Sequence, residues 1–257
     1  SLSYITQTAG IPLIIDNTMA TPFLCQPIQH GADIVVHSTT KFLSGHGNAM
    51  GGAIVDSGTF NWAQNDKFPS LAQPEEAYHG LNFYESFGDL AYTTYGHAVG
   101  LRDLGPTMAP MNAYLTIMGI ETLALRMEKH VSNAEIIAKF LDEHNEVAWV
   151  SYAGLNDSKY YNLAKKYLPK GAGSVFTFGI KGGYNAGVKF VEKCQLLSHL
   201  ANIGDTRSLV LHPASTTHRQ LTETQRISAG AGDDVIRLSI GLETPDDIIS
   251  EIEQALA

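Results

Sequence analysis

Two short apolar runs constrain this chain more than any other feature. Ile11 to Ile15 leads into Asp16-Asn17-Thr18, and Asp33 to Val36 leads into His37-Ser38-Thr39-Thr40-Lys41. Unbroken apolar runs of this length suit strands covered on both faces, as in a parallel sheet, although a buried helical segment has the same texture. Between them Pro22 and Pro27 interrupt the chain, and His30-Gly31 closes a short helix. The stretch from Asn17 to Gly31 is long enough for the crossover that parallel strands require. Both runs then deliver their last residues to one sheet edge. Ligands of open α/β sheets bind beyond the carboxyl ends of strands, so Asp16 and the Ser38–Lys41 cluster are expected at a binding edge.

The chain continues with a glycine-rich loop (Gly45, Gly47, Gly51 and Gly52) and a return strand at Ala53-Ile54-Val55. Residues from about Phe87 to Leu104 read as one helix, ended by Gly105-Pro106. Ile117, Ile120, Ala124, Met127, Val131, Ala134, Ala138 and Leu141 alternate steps of three and four, which places one apolar stripe along a long helix. That stripe reads as core packing in a helix linking two domains, with no site in it. Further strands are expected at Val147–Tyr152, Ser174–Ile180, Ser208–His212 and Val235–Ile240, and helices at about 185–197 and 216–228. A last helix starts with Thr244 as N-cap, Pro245 in the first turn and Asp246 and Asp247 favourable to the helix dipole.

With 257 residues, 44% hydrophobic and 17% charged, the chain can bury a sizeable core as one large domain or two modest ones. A formal charge of −9 disfavours a mainly electrostatic nucleic-acid or acidic-membrane partner. No apolar run approaches the roughly 20 residues of a membrane span. Two cysteines, Cys25 and Cys194, are too few for a disulfide framework and read as the thiols of a cytoplasmic protein. The ten histidines show no HExxH pattern and there is no CxxC pair, so no metal site is expected. Nor does Gly45 to Gly52 form a phosphate-binding loop with a lysine-hydroxyl pair in register. The chain opens at Ser1 without a methionine, and its first strand needs neighbours; we read it as part of a longer protein.

Lys41, Asp16, Ser38, Thr40 and Arg237 together are the groups that pyridoxal-phosphate (PLP) chemistry needs. That chemistry takes an amine to bond the cofactor, a carboxylate to keep its pyridine nitrogen protonated, and hydroxyl donors for its phosphate. It also takes an arginine whose fork matches a substrate carboxylate. Each residue has a plainer reading too: Lys41 as a surface charge, Asp16 as a turn-former, Ser38 and Thr40 as turn chemistry, Arg237 as half of an ion pair.

The segment Asp16-Asn17-Thr18-Met19-Ala20-Thr21-Pro22, followed by Gly31-Ala32-Asp33-Ile34-Val35-Val36-His37-Ser38-Thr39-Thr40-Lys41, resembles the signature of the Cys/Met-metabolism PLP enzymes. The resemblance continues at Gly45-His46-Gly47, at Ser208-Leu209-Val210-Leu211-His212-Pro213-Ala214-Ser215-Thr216-Thr217-His218 and at Arg237-Leu238-Ser239-Ile240-Gly241-Leu242-Glu243. It implies an α/β fold of the aspartate-aminotransferase-like, fold type I class. Residues 1–111 would be the lysine-bearing part of the large PLP-binding domain, and 112–257 the linking helix and the small C-terminal α/β domain. It also implies Lys41 as the Schiff-base lysine, Asp16 as the partner of the pyridine nitrogen, and Ser38 and Thr40 as phosphate-binding hydroxyls. Arg237 would anchor the substrate α-carboxylate, and Ser208 would help place lysine and substrate.

Within the family, Gly100–Pro106, Leu163–Pro169 and Ser198–Asp205 lean toward the O-acetylhomoserine sulfhydrylases. That implies γ-replacement: O-acetylhomoserine and sulfide give homocysteine and acetate. Cystathionine synthesis and γ-elimination are the alternatives on the same scaffold, and a catalytically incomplete fragment is a third. The partners implied are small-molecule substrates and, in the longer protein, the other subunits of a homotetramer.

Overall fold

The computed structural model describes residues 2–257, which form two compact units. The first comprises residues 2–18, 26–39 and 50–114; the second comprises 19–25, 40–49 and 115–257. Neither is one continuous stretch. The segment Thr40–Ala49, which carries Lys41, belongs to the second unit.

In the first unit, β1 (Ile14–Asp16) pairs in parallel with β2 (Ile34–Ser38), and β2 pairs antiparallel with β3 (Gly52–Asp56). The two apolar runs are therefore parallel strands joined by a crossover, and Asp16 stands opposite Val36 at their carboxyl ends. Ile34 packs against Phe60, Trp62, Leu71, Phe83 and Ala91, a cluster of largely aromatic side chains in edge-to-face contact. The single helix expected from Phe87 to Leu104 is broken into a 3₁₀ turn (Gly88–Leu90), an α-helical piece (Ala91–Tyr95) and a π-helical piece (Gly96–Asp103). Gly88 takes a φ of +51°, which a right-handed helix running through it does not hold. The stop at Gly105 stands.

In the second unit, a five-stranded sheet runs in the order β4 (Val147–Ser151), β5 (Val175–Ile180), β8 (Val235–Ser239), β7 (Leu209–Leu211), β6 (Ser198–His199). All pairings are antiparallel except β6 with β7. The strands β4, β5, β7 and β8 match the four expected runs; β6, two residues long, is too short to show as a pattern. Helices α1 (Pro110–Glu121), α2 (Leu123–Asp142), α3 (Gly183–Lys193) and α4 (Pro245–Leu256) complete the framework. The last begins where Thr244-Pro245 indicated, and its Ile248, Ile252 and Ala255 join the core with Phe178, Phe190, Ile236 and Leu238. Of the helix expected at 216–228, only Glu223–Ser228 forms, because Thr222 and Gln225 exchange capping-box hydrogen bonds that set its start.

The long linking helix is two helices, broken at Thr122. The cause lies at Gly119. A Cβ there would stand 2.3 Å from the Ser44 carbonyl oxygen, so the main chain beyond Lys41 lies directly against the helix at that point. The apolar stripe is corrected accordingly: Ile117, Ile120 and Ala124 are exposed, and the buried line starts at Leu123 and continues through Met127, Val131, Ala134, Ala138 and Leu141. Three polar residues, Arg126, His130 and Asn133, are buried on the same helix, which the periodicity of apolar residues alone could not show. No helix among the described residues is long and apolar enough to cross a membrane.

Candidate functional site

The first unit supplies the strand-end group. Asp16 is exposed at the end of β1, and its Oδ1 accepts the Thr18 N–H at 2.9 Å. The Thr18 hydrogen bonds, and more weakly the neighbouring His37, hold the Asp16 carboxyl below its ordinary value, so it stays negative at neutral pH. His37 is buried, its proton affinity is lowered by that burial, and its Nδ1 has no partner among the described residues. The Ser38 N–H donates to the Thr18 hydroxyl at 2.8 Å. The Thr39 hydroxyl is buried without a hydrogen-bond partner among the described residues, although its N–H donates to Gly51 O. A buried hydroxyl with nothing to bond is costly in a finished structure. This sheet edge therefore has donor capacity to spare.

The second unit supplies the amine. Lys41 departs from the helical path of the turn Thr39–Leu43, with φ −91° and ψ −129°, and its carbonyl accepts the Gly45 N–H at 2.8 Å. Its Nζ donates to Asn202 Oδ1 at 2.5 Å. Arg237, on β8, donates from Nη2 to the main-chain oxygen of the same Asn202 at 3.2 Å. Asn202 thus interposes two oxygen dipoles between two cations. Burial first, and the nearby Arg237 charge second, lower the Lys41 proton affinity, which enlarges the share of neutral, nucleophilic amine. Arg237 has no carboxylate partner among the described residues, so the ion-pair reading of that arginine does not hold and its fork is available to an anion.

Of the six residues singled out from sequence, the structure brings Lys41 and Arg237 together around Asn202. Thr40 precedes Lys41 in the same segment, and its carbonyl accepts from the Ser44 hydroxyl at 3.3 Å. Ser208 is fully buried; its N–H and hydroxyl donate to the Glu243 carboxylate at 2.6 and 2.8 Å, and its hydroxyl accepts the Gly241 N–H. Asp16 and Ser38 lie in the first unit. Asn202 was missed in the sequence. It sits 161 positions from Lys41, and nothing local marks it beyond an Asn-Ile-Gly-Asp turn ahead of a strand.

A family model, the Cys/Met metabolism PLP-dependent enzymes, matches residues 1–257. The chain belongs to that family. Curated relatives include the O-acetyl-L-homoserine sulfhydrylase of Leptospira meyeri, 49% identical over 265 residues, covering 100% of this chain and 60% of the relative. The homocysteine synthase of Schizosaccharomyces pombe is 49% identical over 257 residues, covering 99% of this chain and 60% of the relative. This chain therefore spans about 60% of the length of the curated relatives it matches. Among solved structures, a candidate O-acetylhomoserine (thiol)-lyase of Campylobacter jejuni superimposes with a TM-score of 0.95 at 43% identity. The match covers 99% of this chain and 61% of that one, whose structure contains a pyridoxyl-lysine monophosphate. The α/β fold expected from the sequence is thus the fold of this family.

The residues present fit such a cofactor. Within the second unit, a partly buried amine of lowered proton affinity stands near an arginine without a counter-ion among the described residues, and the first unit by itself carries a carboxylate that stays ionised; each is chemically suited to such a group.

Proposed function

We propose that this chain carries the lysine-bearing part of a PLP-dependent γ-replacement enzyme that converts O-acetylhomoserine and sulfide to homocysteine and acetate. One observation carries the reading: an amine, Lys41 Nζ, shares Asn202 with an arginine that has no counter-ion among the described residues. When bound, PLP supplies an aldehyde for the amine and a ring that takes up carbanion charge. Lys41 Nζ would hold that aldehyde and, once free, would be the base placed to take the proton from the substrate Cα. The same amine would carry a Cβ proton away and return it, as exchange of the Cγ acetate for sulfide requires. Asp16 would keep the pyridine nitrogen protonated, Ser38 and Thr40 would donate to the phosphate, and Arg237 would grip the substrate α-carboxylate. Asn202 holds Lys41 and Arg237 at their spacing, while Ser208 ties the strand ends beside them through Glu243 and Gly241. The reading assigns residues 1–111 to the cofactor-bearing domain and 112–257 to the linking helix and small domain.

The names of the relatives support replacement over elimination. The test is to add PLP to the purified protein, reduce with borohydride and map the labelled peptide. A label on Lys41 is expected; a label on another lysine overturns the assignment. Product analysis with sulfide, with cysteine and without a thiol separates the outcomes. Replacement retains the amine, whereas elimination releases ammonia and a keto acid. Lys41→Ala should cost more than the ~10²–10⁴-fold typical of losing a general acid–base group, because covalent attachment goes too.

A further inference from the structure

Arg126 is a buried cation that the proposed reaction does not use. It lies on α2, 6% exposed, with no carboxylate within ion-pair distance among the described residues. Its guanidinium is satisfied by uncharged oxygens alone. Nη1 donates to Phe42 O at 2.9 Å, Nη2 to Gly119 O at 2.7 Å and to Leu43 O at 3.4 Å, and Nε to the Thr122 hydroxyl at 3.2 Å. Phe42 and Leu43 are the two residues directly after Lys41. Gly119 and Thr122 flank the break between α1 and α2. One side chain therefore ties the main chain just past the amine to a helix junction that is itself held by packing.

Two glycines make room for this tie. Gly45 has φ +76°, and a Cβ on it would stand 2.3 Å from Arg126 Nη1; a Cβ on Gly119 would stand 2.5 Å from Leu43 O. The ring of Phe42, fully buried, meets His130 edge-on at 5.3 Å between centroids, so the segment is also held from its other side. Burying an unpaired guanidinium is expensive relative to an apolar side chain of similar volume. Two of its acceptors lie on the turn that presents Lys41, so moving the turn would leave the buried charge without them.

We propose that Arg126 is a positioning residue for Lys41. By holding the Phe42 and Leu43 carbonyls it sets where Nζ stands between Asn202 and Arg237, and with that its proton affinity and reactivity. The inference rests on the reading of Lys41 as the cofactor-bonding amine, but its test does not depend on that reading alone.

The test compares wild type with Arg126→Lys, Arg126→Met and Gly45→Ala, the last of which displaces the guanidinium without deleting it. Lys41 acylation by an amine-reactive reagent, located by peptide mapping across pH, reports the proton affinity of Nζ in the absence of cofactor. Hydrogen exchange of residues 42–45 reports the turn. In the variants the Lys41 profile should shift by about one pH unit and exchange in the turn should rise. With PLP and substrates, kcat should fall about 10- to 100-fold, as for a misplaced reacting group, with KM changed far less. Should Arg126→Met not fold, Arg126→Lys and Gly45→Ala carry the same readouts. A folded variant with wild-type acylation profile, exchange and kcat overturns the proposal. If borohydride labels another lysine in the wild type, the catalytic reading fails, while the acylation and exchange results still decide whether Arg126 positions Lys41.

Discussion

The edge of the small sheet and the turn around Lys41 hold their functional groups in opposite ways. Asp16 is fixed by neighbours two positions away in the chain and by one adjacent strand. Lys41 is fixed by residues far off in sequence: Asn202 at 161 positions and Arg126 acting on Phe42 at 84. The surroundings differ in the same sense. β1 and β3 leave Ile14 and Ile54 more than half exposed, whereas the central strands β5, β8 and β7 are largely buried. A group set by local turn chemistry tolerates a loosely covered sheet. A group set by distant side chains requires the core that carries those side chains to be rigid.

The sharpest way to break this contrast is to cut into the two regions separately. Ile252→Ala, in the core of the second unit, should destabilise by about 2–5 kcal/mol in denaturant titration, since a fully buried side chain leaves a cavity. Ile54→Thr, on β3, should stay within about 0.5 kcal/mol. Equal losses would mean that the small sheet is as tightly packed as the large one.

The next effect depends on pH. His130 is fully buried, its Nδ1 lies 2.7 Å from Ile240 O, and burial pushes its pKa down to about 4. The unfolded chain binds the proton near pH 6.5, the folded chain only near 4, so between those values the unfolded state holds more protons. The contribution of neutral His130 is therefore present above pH 6.5 and is lost as pH falls toward 4. Its size is on the order of 3 kcal/mol for a shift of that extent. Urea titrations from pH 4.5 to 7 should show a steeper fall for wild type than for His130→Asn; parallel curves would remove His130 from the account.

The smallest of the larger effects concerns Arg237. Arg237→Lys retains the charge but loses the planar fork. With a hydrogen bond to a charged group worth about 1.5–3 kcal/mol, KM for the amino-acid substrate should rise about 10- to 100-fold while folding stability is kept. An unchanged KM would mean that Arg237 is held for its bond to Asn202 and not for an anion.

How much of this was legible in the sequence follows the same division. The parallel pairing of β1 with β2, and the placing of Asp16 and Ser38 at its carboxyl edge, could be read from two apolar runs and the length between them. The start of α4 could be read from Thr244-Pro245. Both are local signals. The broken helix at Thr122 could not be read, because its cause is a carbonyl arriving from Ser44 against Gly119. Arg126, His130 and Asn133 were invisible for a related reason: a helical stripe is recognised by apolar spacing, and these buried polar groups are made acceptable largely by main-chain oxygens from elsewhere. Asn202 lies in a stretch that marks the subfamily, but nothing in the sequence ties it to Lys41 until the fold brings them together. Lys41 itself was singled out by resemblance, since a lysine after a strand says little alone.

The outer edge of β3 has a bearing on how the protein behaves in solution. It is five residues long, its far side pairs with no strand among the described residues, and Ile54 and Val55 are exposed on it. An uncovered strand edge with apolar side chains is a template on which a second chain can lay its own strand. Kept on its own at high concentration, the polypeptide would therefore drift toward edge-to-edge association, and a single lysine at Ile54 would be the economical guard against it.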